Sequence, residues 1–388
     1  MYGMKAVGKL LWHEVQYCFR DPRRFIFLFG ASIIYMFIFG SLYAPGVVKS
    51  VPAVFCDEDQ SAFSRHYLRD LADNDSFGDP LYVSTEEQLR QALREKQGSI
   101  GVLVPKYFSR DIKAGGHTTV LFLFNGENLV TTSIVARDGE HVTETFSNKV
   151  ASQQLALRSS VDEQSLLQKI EPMETGLRVI GNTSQTYSWF FVIGLAIAAY
   201  QQGLFFAGAA SLFQVETAEW KKYSAGLRTG VKMFFVWLMA MLSFVLMLWV
   251  MHSFWEVPLR GGHLWPVLAL GAAFALAVTG LGFLWSACFE QELGFARVSL
   301  LYPVVGFILS GYTWPLLAMP RSIQLLAYIL PQTWMMNTFR DLLLVGSVSE
   351  VWDAVKVLLL MGFTFCVFAG IFVRRRLQRL SGAATVSF

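Results

Sequence analysis

Ser64 and His66 stand two residues apart, just after an acidic run of Asp57, Glu58 and Asp59. A hydroxyl nucleophile, an imidazole base and carboxylates are the parts of a hydrolase or of a metal site. The same residues also suit a helix start, where acids meet the positive end of the helix dipole, and the sequence favours that plainer reading. "HEVQY" at 13–17 opens like the zinc-protease HExxH motif, but Tyr17 stands where the second histidine is needed, so the motif is discarded. Cys18, Cys56, Cys288 and Cys366 form no CxxC and no Cys/His cluster, which argues against a metal site. No catalytic residue is assigned, and the chain is not expected to be an enzyme.

The remaining polar residues of interest lie in or beside apolar runs, and these runs dominate the chain. Its 388 residues are 54% hydrophobic and 16% charged, whereas a soluble domain carries about 25% charged residues. Charge is unevenly placed. Residues 46–185 hold 14 Lys/Arg and 19 Asp/Glu, net −5, and the rest of the chain is net +8. The pattern is an acidic polar insert within a basic membrane protein.

A spanning helix needs about 20 mostly apolar residues. Phe25–Val48, Val179–Val215, Met233–Trp255, Gly261–Phe289, Val298–Pro320 and Val357–Val373 carry no charge, which gives six spans. Lys and Arg cluster before the first span, between the second and third, and after the sixth. All three clusters face the cytosol if both termini do. The expected organisation is an amphipathic interfacial helix over 1–24, span one at 25–45, and an extracytoplasmic α/β domain at 46–185. Spans two to six follow over 186–373, then a cytosolic tail at 374–388.

Within the insert, Val51–Phe55, Leu81–Val83, Ile100–Val104 and Thr118–Phe124 read as strands. Helices are expected over 57–73, over 84–96 with a Ser84/Glu87 capping box, and from Leu129 to Lys169. The cytosolic loop 213–232 concentrates Glu216, Glu219, Trp220, Lys221 and Lys222. It reads either as a solvated loop or as a short docking helix with Trp220 as apolar anchor. Tyr200, Gln201 and Gln202 fall midway along span two. At that depth they face a cavity or join helices. The stretch 310–334, "SGYTWPLLAMPRSIQLLAYILPQTW", holds Gly311, Tyr312, Trp314, Pro315, Pro320 and Pro331. A seventh crossing there would put the final arginine cluster outside, so a re-entrant hairpin over 314–340 on the outer side is expected.

No GxxxxGK[ST] phosphate loop occurs. "LSGA" at 380–383 is similar to the signature of cassette ATPases but sits in a short tail. The order of parts, with "RDPRRFIFLF" (20–29), "VPAVFCDEDQSAFSR" (51–65), "VPKYFSRDIKAG" (104–115) and the 310–334 stretch, resembles the permease subunits of type-2 ATP-binding cassette (ABC) exporters. The resemblance is to the branch with a large domain after span one. It implies a six-helix transporter subunit in the bacterial inner membrane, exporting an amphipathic or hydrophobic molecule such as a drug, lipid or metabolite. ATP and Mg would be bound by partner ATPase subunits docking on 213–232, with Glu290 and Glu292 of the next cytosolic loop as further contacts. Tyr200, Gln201, Gln202, Tyr312 and Trp314 would belong to the translocation pathway. A second permease copy or paralogue would complete a dimer, with a periplasmic adaptor and outer-membrane channel as further partners. The chain offers no nucleic-acid signal. The alternative from another class is a membrane-anchored ligand sensor or assembly factor that transports nothing.

Overall fold

The computed structural model describes residues 4–44, 48–114, 116–124, 129–158, 187–214, 218–259 and 263–386. They form two compact units, one of Met1–Gly46 with Val179–Phe388 and one of Val47–Arg178.

The first unit begins with α1 (Met4–Arg20), amphipathic and ended by Asp21-Pro22, where proline cannot continue the hydrogen-bond ladder. The Asp21 carboxylate caps α2 (Pro22–Phe25) by accepting from the Arg23 amide. A π-turn, Ile26–Gly30, and α3 (Ala31–Leu42) complete the first apolar rod.

The second unit follows in sequence as β1 (Ala53–Asp57), α4 (Ala62–Ala72), β2 (Leu81–Val83), α5 (Glu86–Arg94) and β3 (Ile100–Val104), then α6 (Phe108–Lys113), β4 (Leu121–Phe124) and α7 (Leu129–Arg158). The sheet order is β2-β1-β3-β4, with β4 antiparallel to β3 and the rest parallel. The strand β3 is apolar and buried throughout, and β1 is buried from Ala53 to Cys56, as a sheet covered on both faces requires. One face packs Phe55, Val102 and Val104 against Tyr67, Leu68, Phe108, Val135 and Phe146. The other packs Val54, Cys56 and Leu103 against Leu89 and Ala92 of α5.

The first unit then resumes with α8 (Tyr187–Phe213), α9 (Ala218–Lys221), α10 (Ala225–Trp255), α11 (Leu264–Ala287) and α12 (Glu292–Ser299), followed by α13 (Leu301–Leu309), α14 (Arg321–Ile329), α15 (Pro331–Leu344) and α16 (Val351–Val386). Among the described residues, six helical rods are long and apolar enough to cross a membrane: Pro22–Leu42, Ser188–Phe213, Ala225–Trp255, Leu264–Ala287, Glu292–Leu309 and Val351–Arg376. The core they share with α15 is built from Ala196, Tyr200, Phe205, Phe244, Phe274, Met336 and Phe339. Small residues let rods approach: Gly280 of α11 meets Cys366 of α16, and Gly362 of α16 meets Leu276.

Several expectations need correction. The fifth rod starts at Glu292, not Val298, and ends at Leu309. It is broken at Leu300 because Pro303 has no amide to donate to Ser299. The cap of α5 is Thr85, not Ser84. Its hydroxyl accepts from the Gln88 amide at 3.3 Å, and Gln88 Oε1 reaches back to the Ser84 amide at 3.0 Å. A reciprocal capping box sits instead at Ser61 and Ser64 of α4. The helix α6 was not anticipated. The part of the long helix expected beyond Arg158 lies outside the described residues.

Candidate functional site

Three charged side chains are buried together where α1, the start of the first rod, the end of α8 and the start of α10 converge. Glu14 is 0% exposed, Arg24 4% and Lys232 3%. Arg24 Nη1 lies 3.4 Å from Glu14 Oε2, and Arg24 Nη2 donates to Gln214 Oε1 at 3.0 Å and to the Ala210 carbonyl. The Ser211 hydroxyl donates to Glu14 Oε2 at 3.3 Å. Lys232 Nζ donates to the Ser211 carbonyl at 3.0 Å and stands 5.2 Å over the Trp220 ring. One cluster thus ties four segments of chain. The carbonyls of Ala210 and Ser211 belong to the last turn of α8 and are free to accept because no further turn follows. Burial holds the Glu14 carboxyl above its ordinary value of 4.5, against the opposing pull of Lys232 and Arg24. An isolated charge this deep would be expelled, so the three persist by pairing.

The expected docking residues divide around this cluster. Trp220 is 1% exposed and packs with Leu10 of α1 and Val231 of α10. It is an internal anchor, which corrects the expectation of a surface anchor for a partner. Its ring turns inward because a large apolar surface is available on α1. Lys221 and Lys222 are exposed beside it. Glu219 falls within α9, and Glu216 lies outside the described residues. Glu290 is exposed and Glu292 half-buried at the start of α12. Arg376 of α16 clamps that loop by donating to the Ser286 and Glu290 carbonyls at 3.3 and 3.1 Å.

The residues expected along a pathway also separate. Tyr200 donates to the Ala240 carbonyl at 2.8 Å and is buried between α8 and α10, so it joins helices. Gln201 is fully buried and Gln202 half-buried. Among the described residues the amide groups of both lack a well-formed hydrogen bond, and the Gln201 amide stands beside the Tyr302 hydroxyl of α13. Tyr312 does not line an opening. It is 3% exposed, packed on Phe190 and Phe307, and donates to the Phe190 carbonyl at 2.6 Å. Trp314 is exposed.

The hairpin is two short helices, α14 and α15, reached through Gly311, which turns at φ +84°, and a 3-10 turn flanked by Pro315 and Pro320. Pro331 opens α15, where a missing amide costs nothing. Asn337 returns a bond to the Ser310 carbonyl at 2.8 Å, closing the fold-back.

No catalytic geometry arises at Ser64. Its hydroxyl donates to Asp57 Oδ2 at 2.8 Å, and His66 pairs instead with Asp70 at 3.2 Å on the exposed side of α4. The buried charges were the residues missed from sequence. Their signal was present: Glu14 falls on the apolar stripe of α1 with Leu10, Leu11 and Cys18.

Residues 23–371 match the family model described as ABC-2 family transporter protein. The chain is 24% identical over 394 residues to the linearmycin resistance permease protein LnrN of Bacillus subtilis (strain 168), covering 92% of this chain and 96% of that one. It is 28% identical over 114 residues to the probable multidrug ABC transporter permease YbhS of Escherichia coli (strain K12), covering 29% of this chain and 30% of that one.

Proposed function

Because the chain belongs to the ABC-2 family of transporter proteins, it is the transmembrane permease subunit of an ABC exporter, and we propose that α9 is the lever through which its ATPase drives it. The ATPase activity resides in a separate subunit, and the permease works as a dimer. ATP and Mg belong to that partner. Lys221 and Lys222 are the docking charges, with Glu216, Glu219, Glu290 and Glu292 completing the contact surface.

The observation that carries this reading is the placement of Trp220. One residue before the exposed lysine pair, its indole lies against α1 and under the Lys232 ammonium. A push on α9 is therefore borne by Trp220 and passed through the Lys232, Ser211, Glu14 and Arg24 contacts into three rods. ATP binding in the partner would rock these rods against those of a second permease copy or paralogue. Gln201 and Gln202 would meet the cargo, because unpartnered buried amides are costly unless another group satisfies them. The rods carry no charge at that depth, which favours a hydrophobic or amphipathic cargo, and the two relatives are named for linearmycin resistance and multidrug transport. Both termini would be cytosolic and the Val47–Arg178 unit outside the bacterial inner membrane, where an adaptor and outer-membrane channel would meet it.

The test is the double reversal Lys221→Glu, Lys222→Glu, expressed with the ATPase partner. Reversing two docking charges is expected to weaken the complex by at least about tenfold, roughly 1.4 kcal/mol, with ATP-dependent efflux falling in step. Undiminished co-purification and efflux would refute the lever.

A further inference from the structure

The Val47–Arg178 unit contains a cavity of about 330 Å³, within the range of roughly 300–1,000 Å³ typical of small-molecule sites. Two of the elements around it leave the sheet at a topological switch point. In the order β2-β1-β3-β4, the chain leaving β1 runs to β2 on one side, and the chain leaving β3 runs to β4 on the other. The neighbours β1 and β3 thus send their connections apart, and open α/β sheets bind ligands beyond the carboxyl ends of strands at such a point. Tyr67 of α4 and Phe108 of α6, the helices that follow β1 and β3, wall the cavity on one side, and Thr118 in the lead to β4 with Phe146, Val150 and Gln154 of α7, the helix after antiparallel β4, wall it on the other.

The loops that lead into α4 and α6, whose Tyr67 and Phe108 line the cavity, are fixed. Gln60, after β1, and Tyr107, after β3, hold left-handed backbone at φ 50° and 68°, a conformation that costs energy and concentrates at binding sites. Asp59 Oδ2 accepts the Ser109 amide at 3.2 Å, joining the two loops. Asp57 Oδ1 accepts the amides of Asp59 and Gln60 at 3.1 and 2.9 Å. Aromatic and aliphatic walls, hydroxyl and amide groups and the His117 imidazole, with no carboxylate, lysine or arginine among the lining residues, define the ligand class.

We infer that this cavity is a binding site for a neutral amphipathic small molecule with an aromatic or aliphatic body. The site goes beyond the coupling reading and does not depend on it, since it lies wholly within Val47–Arg178.

The test uses the full-length permease in nanodiscs and 4-(hydroxymethyl)benzophenone, a neutral aromatic alcohol that crosslinks on illumination. Saturable adducts are expected in the 143–154 stretch of α7. Ser147→Trp, at the exposed mouth, and Ala151→Trp, deeper in the wall, should each lower that labelling about tenfold. Glu144→Trp, on the same helix but outside the lining, should leave it unchanged. Because Ser147 and Glu144 are both exposed, neither substitution burdens the core. Adducts confined to the membrane rods, or equal labelling in all three variants, would overturn the site.

Discussion

Two arginines one residue apart show how environment decides what a charge is worth. Arg23 pairs with Asp21 at 3.0 Å but is 67% exposed, where such pairs contribute about 0–1 kcal/mol. Arg24 is buried on Glu14, Gln214 and the Ala210 carbonyl, where removing one partner strands the others. Arg24→Met is therefore expected to cost about 3 kcal/mol and Arg23→Met under about 1 kcal/mol, read as shifts in the denaturant unfolding midpoint. Equal shifts would contradict the buried cluster. Glu14 adds a pH signature. Burial is the largest influence on it and raises its folded value, with Lys232 and Arg24 pulling back. A carboxyl so raised contributes stability that is complete below its ordinary value of 4.5 and is lost as pH rises through the folded value. The melting temperature of the native chain relative to Glu14→Gln should thus fall as pH climbs above 4.5. Parallel profiles for the two proteins would exclude this role. The lysine and arginine of the cluster were visible in the sequence as orientation charges. Their union with Glu14 was not, because it joins residues up to 218 apart in number, and only the fold brings α1 beside α10.

At the scale of elements, the spans were the most legible part. Length and apolar content are local properties, and each of the six uncharged runs corresponds to one long rod. Their ends were less so. Arg24 and Lys232 are charged yet lie inside helices, since their partners come from other segments of chain rather than from water. Within Val47–Arg178 the apolar strands were readable, whereas α6 was missed because six residues give too short a period to detect. The hairpin was readable through its prolines, but Tyr312 was misplaced, since an aromatic near an interface and an aromatic in the core look alike in sequence. Close packing of α8 on the first rod depended on one glycine. A Cβ on Gly203 would collide with the Phe27 carbonyl oxygen in the π-turn, while one on Gly226 meets nothing within 4 Å. The collision is with backbone, so no rotamer relieves it. Gly203→Val should cost about 1–3 kcal/mol and sharply lower the monodisperse peak on size exclusion, with Gly226→Ala unchanged. A normal Gly203→Val peak would place the first rod elsewhere.

For the molecule as a whole, the placement of charge about the rods argues orientation. Arg24, Lys232 and Arg376 converge on the same end of the bundle, bound to Ala210, Ser211 and Ser286 at the last turns of α8 and α11. At the opposite end Trp189 donates to the Trp255 carbonyl, Tyr43 stacks on Phe191, and Tyr312 closes over α8 with Arg340 over its ring, a region rich in aromatic residues. Basic ends stay with the cytosol, and aromatics settle at the interface. The segment between Leu42 and Tyr187 connects rods at the aromatic end, so the acidic Val47–Arg178 unit is predicted to lie outside. In a version with its four cysteines replaced, His117→Cys should react with a membrane-impermeant maleimide in intact spheroplasts. Arg375→Cys, exposed at the basic end, should react only after the membrane is opened. The reverse pattern would invert the molecule and move Lys221 and Lys222 away from any cytosolic ATPase. The coupling proposal would then fall with the orientation, whereas the ligand cavity, internal to its own unit, would stand.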